Sequence, residues 1–184
     1  MELGNDLEMR EEELLLSRIA LKDQKAFEEL YKLYSPRIFR YAQVRLRNIH
    51  AAEEAMQEAL WGVWQGVQRY KGASKPSTWI FGIAHHKVTD MVKKQIKENQ
   101  TRDELSNAPE HESEINHAKN DMLHTALAKV SEPCRDALML SFFYKFNYKE
   151  IGEILGCKEG TVKNRIFRGK EQLRDLLEKS GSVK

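Results

Sequence analysis

The sequence lacks any long hydrophobic run, and its longest apolar stretches, residues 79–84 and 137–140, are too short to cross a bilayer. It has only two cysteines, Cys134 and Cys157. They lie far apart without a CxxC pair or neighbouring histidines, which excludes a disulfide framework and a zinc site. Four prolines and ten glycines leave long stretches of the 184 residues uninterrupted, which favours helices. The first residues are acidic where a secretory signal is basic. These absences predict a helical cytoplasmic protein with no membrane insertion.

The net charge of +2 conceals blocks of opposite sign. Residues 37–97 contain eleven basic and four acidic residues, and residues 145–184 contain ten basic and six acidic residues. Residues 98–115, which lie between them, contain six acidic residues and one basic residue, as do residues 1–13. One basic block is as often a solvated face as a binding surface. Two basic blocks around an acidic connector favour a polyanion that is bound in two places.

Apolar residues recur at helical spacing through most of the chain, whereas signals for strands are nearly absent. Ser35 and Pro36 have the residue types of a helix start and predict that a new helix begins there. Further helices are predicted over residues 50–69 and, with Ser77 as the cap, over 78–96. We therefore expect an all-α protein with two small helical domains, residues 1–97 and 116–184, joined by a flexible acidic linker over 98–115.

The most informative stretch lies in the C-terminal half. Asn147 and Glu150 have the spacing of a capping box, which predicts the start of a short helix, and Gly156 predicts its end. A long basic helix is predicted over residues 159–178. A short helix, a glycine turn and a long basic helix form the layout of a helix-turn-helix. The apolar side of the long helix is a narrow stripe at 100° per residue, made of Val162, Ile166, Gly169, Leu173 and Leu176.

The opposite side of that helix carries Asn164, Phe167 and Arg168, which the same arithmetic points away from the core. An exposed phenylalanine on a polar face suggests an apolar contact with a base edge in the major groove, beside two hydrogen-bonding side chains. The alternative is a packing contact with the preceding helix. Residues placed to hold the module on phosphates are Tyr148, Lys149, Thr161, Lys163 and Arg165.

Four segments together resemble a known family. They are AFEELYKLYSPRIFRYA (26–42), AEEAMQEALWGVW (52–64), STWIFGIAHHKVTDMVKK (77–94) and YKEIGEILGCKEGTVKNRIFRGKEQLRDLL (148–177). In this order and at this separation they resemble a sigma-70 family RNA polymerase sigma factor of the extracytoplasmic-function (ECF) group. The resemblance covers nearly all of the chain from Ala26 to Leu177.

The resemblance implies a non-enzymatic initiation factor without a cofactor, whose partners are core RNA polymerase, promoter DNA and, by analogy, an anti-sigma factor. Region 2 of the family corresponds to residues 1–97 and region 4 to residues 116–184. Core polymerase binding is carried over onto Glu54, Gln57 and Glu58, which by sequence alone are solvated positions on an amphipathic helix. The C-terminal residues named above are carried over to the minus-35 element. Minus-10 binding is carried over onto Tyr70, Lys71, Ser74, Lys75, Trp79, His86, Lys87, Asp90, Lys93 and Lys94.

Some of these positions allow a second interpretation. Trp79 begins an apolar run and is at least as compatible with the core as with a DNA strand, and Trp61 and Trp64 are both compatible with the core. The pair His85–His86 replaces the Arg-Asn pair common in the family, which leaves the minus-10 bases open. As a metal pair it is disfavoured, because adjacent helical residues diverge by 100° and no third ligand is near.

Two other classes of function remain as alternatives. A stand-alone helix-turn-helix regulator would bind an operator without polymerase. A nucleic-acid enzyme is disfavoured, because the sequence has no clustered carboxylates and no P-loop. We also expect the acidic linker to be disordered in the free protein, and at about 3.4 Å per residue it can span roughly 60 Å.

Overall fold

The computed structural model describes residues 2–103 and 121–179, and all the regular structure within these two ranges is helical. This confirms the all-α prediction. No helix among these residues is both long and apolar enough to serve as a membrane span. The elements are α1 (Glu2–Ala20), α2 (Gln24–Leu46), α3 (Ile49–Gly66), a 3-10 turn (Val67–Arg69), α4 (Pro76–Asp103), α5 (Asp121–Lys129), α6 (Glu132–Phe142), α7 (Tyr148–Leu155) and α8 (Glu159–Lys179).

Helices α1 to α4 form an N-terminal module, and side-chain caps define where two of these helices begin. The Asp23 carboxylate accepts a hydrogen bond from the Ala26 amide at 3.2 Å, and the Asn48 side chain accepts one from the Ala51 amide at 2.9 Å. Each cap satisfies an amide that has no partner within its own helix. Helix α3 therefore begins at Ile49, next to the predicted start, and its apolar side packs between α2 and α4.

Pro36 lies inside α2 and does not begin a new helix, so the prediction from Ser35 and Pro36 was wrong. A proline within a helix costs ~3 kcal/mol, because it removes a hydrogen bond and crowds the preceding turn. Leu30, Tyr34 and Ile38 are fully buried on both sides of it, and burial of each such side chain stabilises by about 1.5–3 kcal/mol. Core packing along the whole helix therefore outweighs the local cost at Pro36, which is exposed.

Two predicted boundaries also differ from the structure. The last three residues of the predicted helix 50–69 form the 3-10 turn, and α4 begins at Pro76, so Ser77 lies in its first turn and is not its cap. Helix α4 also continues to Asp103, so residues 98–103 of the predicted linker are helical. The remainder of that linker, residues 104–115, lies outside the described residues.

Helices α5 to α8 form a C-terminal module, in which the predicted helix-turn-helix is confirmed. The Asn147 side chain accepts a hydrogen bond from the Glu150 amide at 2.9 Å, and the Glu150 carboxylate accepts one from the Asn147 amide at 2.8 Å. Gly156 ends α7 in the left-handed conformation, with φ of 62°. The turn then folds back on Gly152, whose carbonyl accepts from the Cys157 amide at 2.9 Å.

The apolar stripe predicted for α8 faces the core and lies against α6. Val162, Ile166 and Gly169 are buried. A β-carbon at Gly169 would lie 2.8 Å from Leu138 Cδ1, so glycine at this position lets the two helices approach closely. Because α8 packs closely on α6, its opposite side faces solvent in a fixed orientation.

The two modules contact each other through an aromatic cluster. The ring of Phe81 in α4 lies 4.7 Å from the ring of Tyr144 and 5.2 Å from that of Phe146, between centroids. The Tyr144 hydroxyl also donates a hydrogen bond to the Arg37 carbonyl at 2.9 Å. Phe81 and Phe146 are buried, so the hydrophobic core continues from one module into the other.

Candidate nucleic-acid interface

The outward side of α8 carries the predicted base-contacting residues. Asn164 and Arg168 are exposed, and Phe167 has 62% of its surface exposed. The alternative in which Phe167 packs against the preceding helix does not account for this exposure. A large apolar side chain held in water between an amide and a guanidinium is suited to contact base edges, because it can meet a methyl group while its neighbours form hydrogen bonds.

The residues that flank this side fall into two groups. Lys149 and Thr161 are exposed, and Lys163 lies 3.1 Å from a carboxylate oxygen of Glu159 with its ammonium 5.8 Å from the centre of the Tyr148 ring. These residues share the outward surface with Phe167. Arg165 is instead half-buried and donates to Cys157 Sγ at 3.5 Å. The structure therefore separates Arg165 from the other predicted minus-35 residues.

In the N-terminal module, Tyr70 and Trp79 define the shape of the loop before α4. The Tyr70 hydroxyl donates to the Ser74 carbonyl at 2.6 Å, and its ring centroid lies 5.2 Å from that of Trp79. Trp79 packs against the core beside Gly66, where an added β-carbon would lie 3.6 Å from the indole. Both aromatic side chains are thus packed within the protein, and they support the exposed residues of the loop, among them Lys71.

Most of the predicted DNA-binding residues of helix α4 are exposed, and one forms an ion pair. The predicted residues that are exposed along it are His86, Asp90, Lys93 and Lys94. Lys87 instead forms an ion pair with Glu58 of α3 at 3.1 Å. This pair joins a predicted DNA residue to a predicted polymerase residue, so the two predicted sites are adjacent on this module.

The predicted polymerase-binding residues of α3 lie on one exposed side of the helix. Glu54, Gln57 and Glu58 are all exposed. Trp61 lies on the same side, because seven residues after Glu54 amount to about two turns, and 52% of its surface is exposed. The interpretation of Trp61 as a core residue was therefore wrong. The helical angle between Glu54 and Trp61 could have predicted from the sequence that both lie on the exposed side. Trp64 does pack inward, with its ring 5.1 Å from that of Phe27.

A buried ionic cluster lies where the modules meet. The side chain of Arg45 from α2 is fully buried; its Nε lies 3.3 Å from Asp136 Oδ1, unaligned for a hydrogen bond, and a terminal nitrogen contacts the Glu132 carboxylate. Another nitrogen of Arg45 donates to Thr89 Oγ1 at 2.9 Å. Burial raises the pKa of Asp136 to about 6, against the lowering effect of Arg45.

His85 belongs to this cluster, whereas His86 does not. The Tyr41 hydroxyl lies 2.8 Å from His85 Nδ1. Burial lowers the pKa of His85 to about 3, and the charge of Arg45 lowers it further. His85 is therefore neutral, and its Nδ1 is the acceptor, because it also lies 3.3 Å from a nitrogen of Arg45, which can only donate. His86 is exposed on the next face of α4, so it is the one residue of the pair that is accessible to a ligand in solution.

An outward helix-turn-helix surface, joined in one chain to a helical module with exposed lysines, defines a two-module DNA-binding protein. Residues 30–98 match the family Sigma-70 region 2, and residues 120–173 match the family Sigma-70, region 4. The chain belongs to the extracytoplasmic-function group of sigma-70 family RNA polymerase sigma factors. It is 31% identical over 173 residues to the ECF RNA polymerase sigma factor SigE of Mycolicibacterium smegmatis, covering 89% of this chain and 67% of that protein.

Other relatives agree with this assignment. The chain is 26% identical over 177 residues to the ECF RNA polymerase sigma factor SigW of Bacillus subtilis, covering 88% of this chain and 94% of that protein. The fold is similar to that of the sigma factor RpoE from Bartonella quintana, solved in complex with the anti-sigma factor NepR. That similarity has a TM-score of 0.70 and 24% identity, and it covers 84% of this chain and 98% of that one.

Proposed function

We propose that this chain directs promoter-specific transcription initiation as an alternative sigma factor, binding core RNA polymerase with the exposed side of α3 and promoter DNA with both modules. The main observation in favour of this function is that two family matches, to region 2 and to region 4, coincide with the two structural modules. Region 2 covers most of the N-terminal module, and region 4 covers the C-terminal module. In this role the chain is a non-catalytic cytoplasmic factor without a cofactor.

Contact with polymerase is assigned to Glu54, Gln57 and Trp61 of α3. Two polar side chains around one exposed tryptophan resemble the composition of a binding hot spot, where a large aromatic anchor is enclosed by polar neighbours. Glu58 lies at the edge of this surface, since it forms an ion pair with Lys87. The exposure of Trp61 among the described residues favours a partner protein over a structural role.

Contact with the minus-10 element is assigned to the loop before α4 and to the exposed side of α4. Lys71, His86, Lys93 and Lys94 present charge or a hydrogen-bonding ring to a backbone. Tyr70 contacts both Ser74 and Trp79, and these contacts hold the loop in shape. We assign them a positioning role within the minus-10 site.

Contact with the minus-35 element is assigned to the outward side of α8. Asn164, Phe167 and Arg168 would read base edges, while Tyr148, Lys149, Thr161 and Lys163 would hold the phosphate backbone. An anti-sigma partner is also proposed, because the sigma factor RpoE, whose fold is similar, was solved in complex with the anti-sigma factor NepR.

Run-off transcription with purified core polymerase tests the function. With a promoter library as template, the chain and core enzyme together are expected to give discrete transcripts, and core enzyme alone is expected to give none. A stand-alone regulator predicts the opposite pattern, with sequence-specific DNA binding by the free chain and no transcript that depends on it. That pattern would overturn the proposal.

Replacing Arg168 with alanine is expected to weaken promoter binding by holoenzyme about 5- to 150-fold, equal to about 1–3 kcal/mol for a bidentate base contact. The loss should concentrate at one base pair of the minus-35 element. A suitable control is Arg174→Ala, which removes an exposed arginine from another side of the same helix. Equal affinities for the two variants, measured by fluorescence anisotropy, would contradict the assigned role.

A further inference from the structure

We propose that a buried ionic latch, Arg45 of α2 against Asp136 and Glu132 of α6, holds the two modules in a closed form that must open before both promoter elements can be bound. The need to open rests on the proposed function, whereas the closed form itself rests only on the contacts. The three side chains come from different modules, so separation of the modules breaks both ion pairs.

The latch is buried more deeply than an ordinary surface ion pair. The Arg45 side chain is fully buried and that of Asp136 is 4% exposed, while Glu132 remains 42% exposed. A buried arginine without a partner carries a large desolvation cost, so both carboxylates are needed while the interface is closed. Opening returns all three groups to water, which makes the latch reversible.

The contacts around the latch extend over the whole interface. Tyr144 and Phe146 pack on Phe81, and Lys75 at the start of α4 forms an ion pair with Glu150 of α7 at 2.8 Å. A cavity of about 190 Å³ lies beside Arg45 and is also lined by Arg165. This pocket is open to solvent, so water reaches the edge of the latch.

The closed form places two DNA-binding surfaces side by side. Lys75 belongs to the minus-10 set, and its partner Glu150 follows directly on Lys149 of the minus-35 set. The two promoter elements are about two DNA turns apart, roughly 70 Å at ~34 Å per turn. Because the Lys75–Glu150 ion pair holds the two DNA-binding surfaces next to each other, they cannot contact both promoter elements at the same time. The interface also withdraws Lys75 and Arg165 from DNA.

We take core polymerase and a promoter with both elements to be bound only by the open form, so closure lowers the apparent affinity for both in proportion to the fraction of chains that are open. A variant with a weakened latch should bind core polymerase more tightly than the natural chain. Glu132→Lys is suited to this test, because it places a positive charge against buried Arg45 from a position that is itself partly exposed. Glu153→Lys is the matched control, since it reverses an exposed charge on α7.

Small-angle scattering and binding to core polymerase measure the two parts of the proposal. For Glu132→Lys we expect a radius of gyration at least about 4 Å larger than for the control, as expected when one compact body becomes two. We also expect about tenfold tighter polymerase binding. Equal radii for the two variants, or a natural chain as extended as Glu132→Lys, would overturn the latch.

Two further results separate the latch from the proposed function. If the radius increases but polymerase affinity stays the same, closure does not oppose assembly and that part of the inference is wrong. If none of the variants binds polymerase, the proposed function fails while the scattering result still decides the latch. Should Glu132→Lys lose helical circular dichroism, Tyr144→Ala takes its place, because it removes a ring that contacts Phe81 across the interface.

Discussion

Gly152→Ala is expected to destabilise the helix-turn-helix by about 3 kcal/mol and to abolish binding to the minus-35 element. A β-carbon at this position would lie 2.6 Å from the carbonyl oxygen of Cys157, closer than non-bonded atoms can approach. The neighbour is backbone, and the same turn returns a hydrogen bond to Gly152, so the chain cannot move aside locally. The turn must open, and α8 then loses its orientation. Chemical denaturation followed by circular dichroism measures the loss.

Gly160→Ala supplies the control for this experiment. Gly160 lies in the first turn of α8, and no atom that an added β-carbon would meet lies within 4 Å. Alanine is the better helix former, so this substitution should leave the free energy of unfolding within about 0.5 kcal/mol or raise it. Similar denaturation midpoints for the two variants would show that the close approach at Gly152 is not what maintains the turn.

Trp61→Ala is expected to reduce binding to core polymerase at least about 30-fold, equal to about 2 kcal/mol, the threshold of a binding hot spot. The indole is half exposed on the side of α3 that also carries Glu54 and Gln57, so its removal should leave the fold intact. Glu54→Lys should act in the same direction by reversing the charge beside it. Titration of labelled core polymerase measures both changes.

Matched controls come from the same module. Leu33→Ala removes an exposed apolar side chain from α2, and Glu28→Lys reverses an exposed charge there. Neither should change polymerase affinity by more than twofold, which is within the usual range for substitutions outside an interface. If Trp61→Ala lowers the melting temperature well below that of the Leu33→Ala control, Trp61 is a structural residue. The assignment to polymerase binding would then be wrong.

The C-terminal module was predictable from the sequence because its signals are local. The Asn147–Glu150 capping box, the turn at Gly156 and the stripe of α8 each involve residues within one or two helical turns, and each is confirmed. The exposure of Phe167 follows from the same arithmetic, since the side opposite a buried stripe must face outward.

Features that depend on distant residues were not predictable in this way. Pro36 was misinterpreted because the packing that stabilises α2 around it comes from other helices, namely α3, α1 and α4. Arg45 and Glu132 are far apart in sequence and neither carries a motif, so no pattern indicates that they meet. The exposure of Trp61 depends on where neighbouring helices leave α3 uncovered. Propensity and spacing describe helices one at a time, whereas these features arise from packing between them.

Helix α4 has a mechanical consequence that follows from its length. Its 28 residues form one uninterrupted rod, about 42 Å long at 1.5 Å per residue. The loop that we propose to contact the minus-10 strand precedes one end, and the other end lies at Asp103. A tilt of roughly 10° at the loop displaces the far end by about 7 Å. Binding of a DNA strand at the loop, if it tilts α4, would therefore also move the far end of the helix at Asp103.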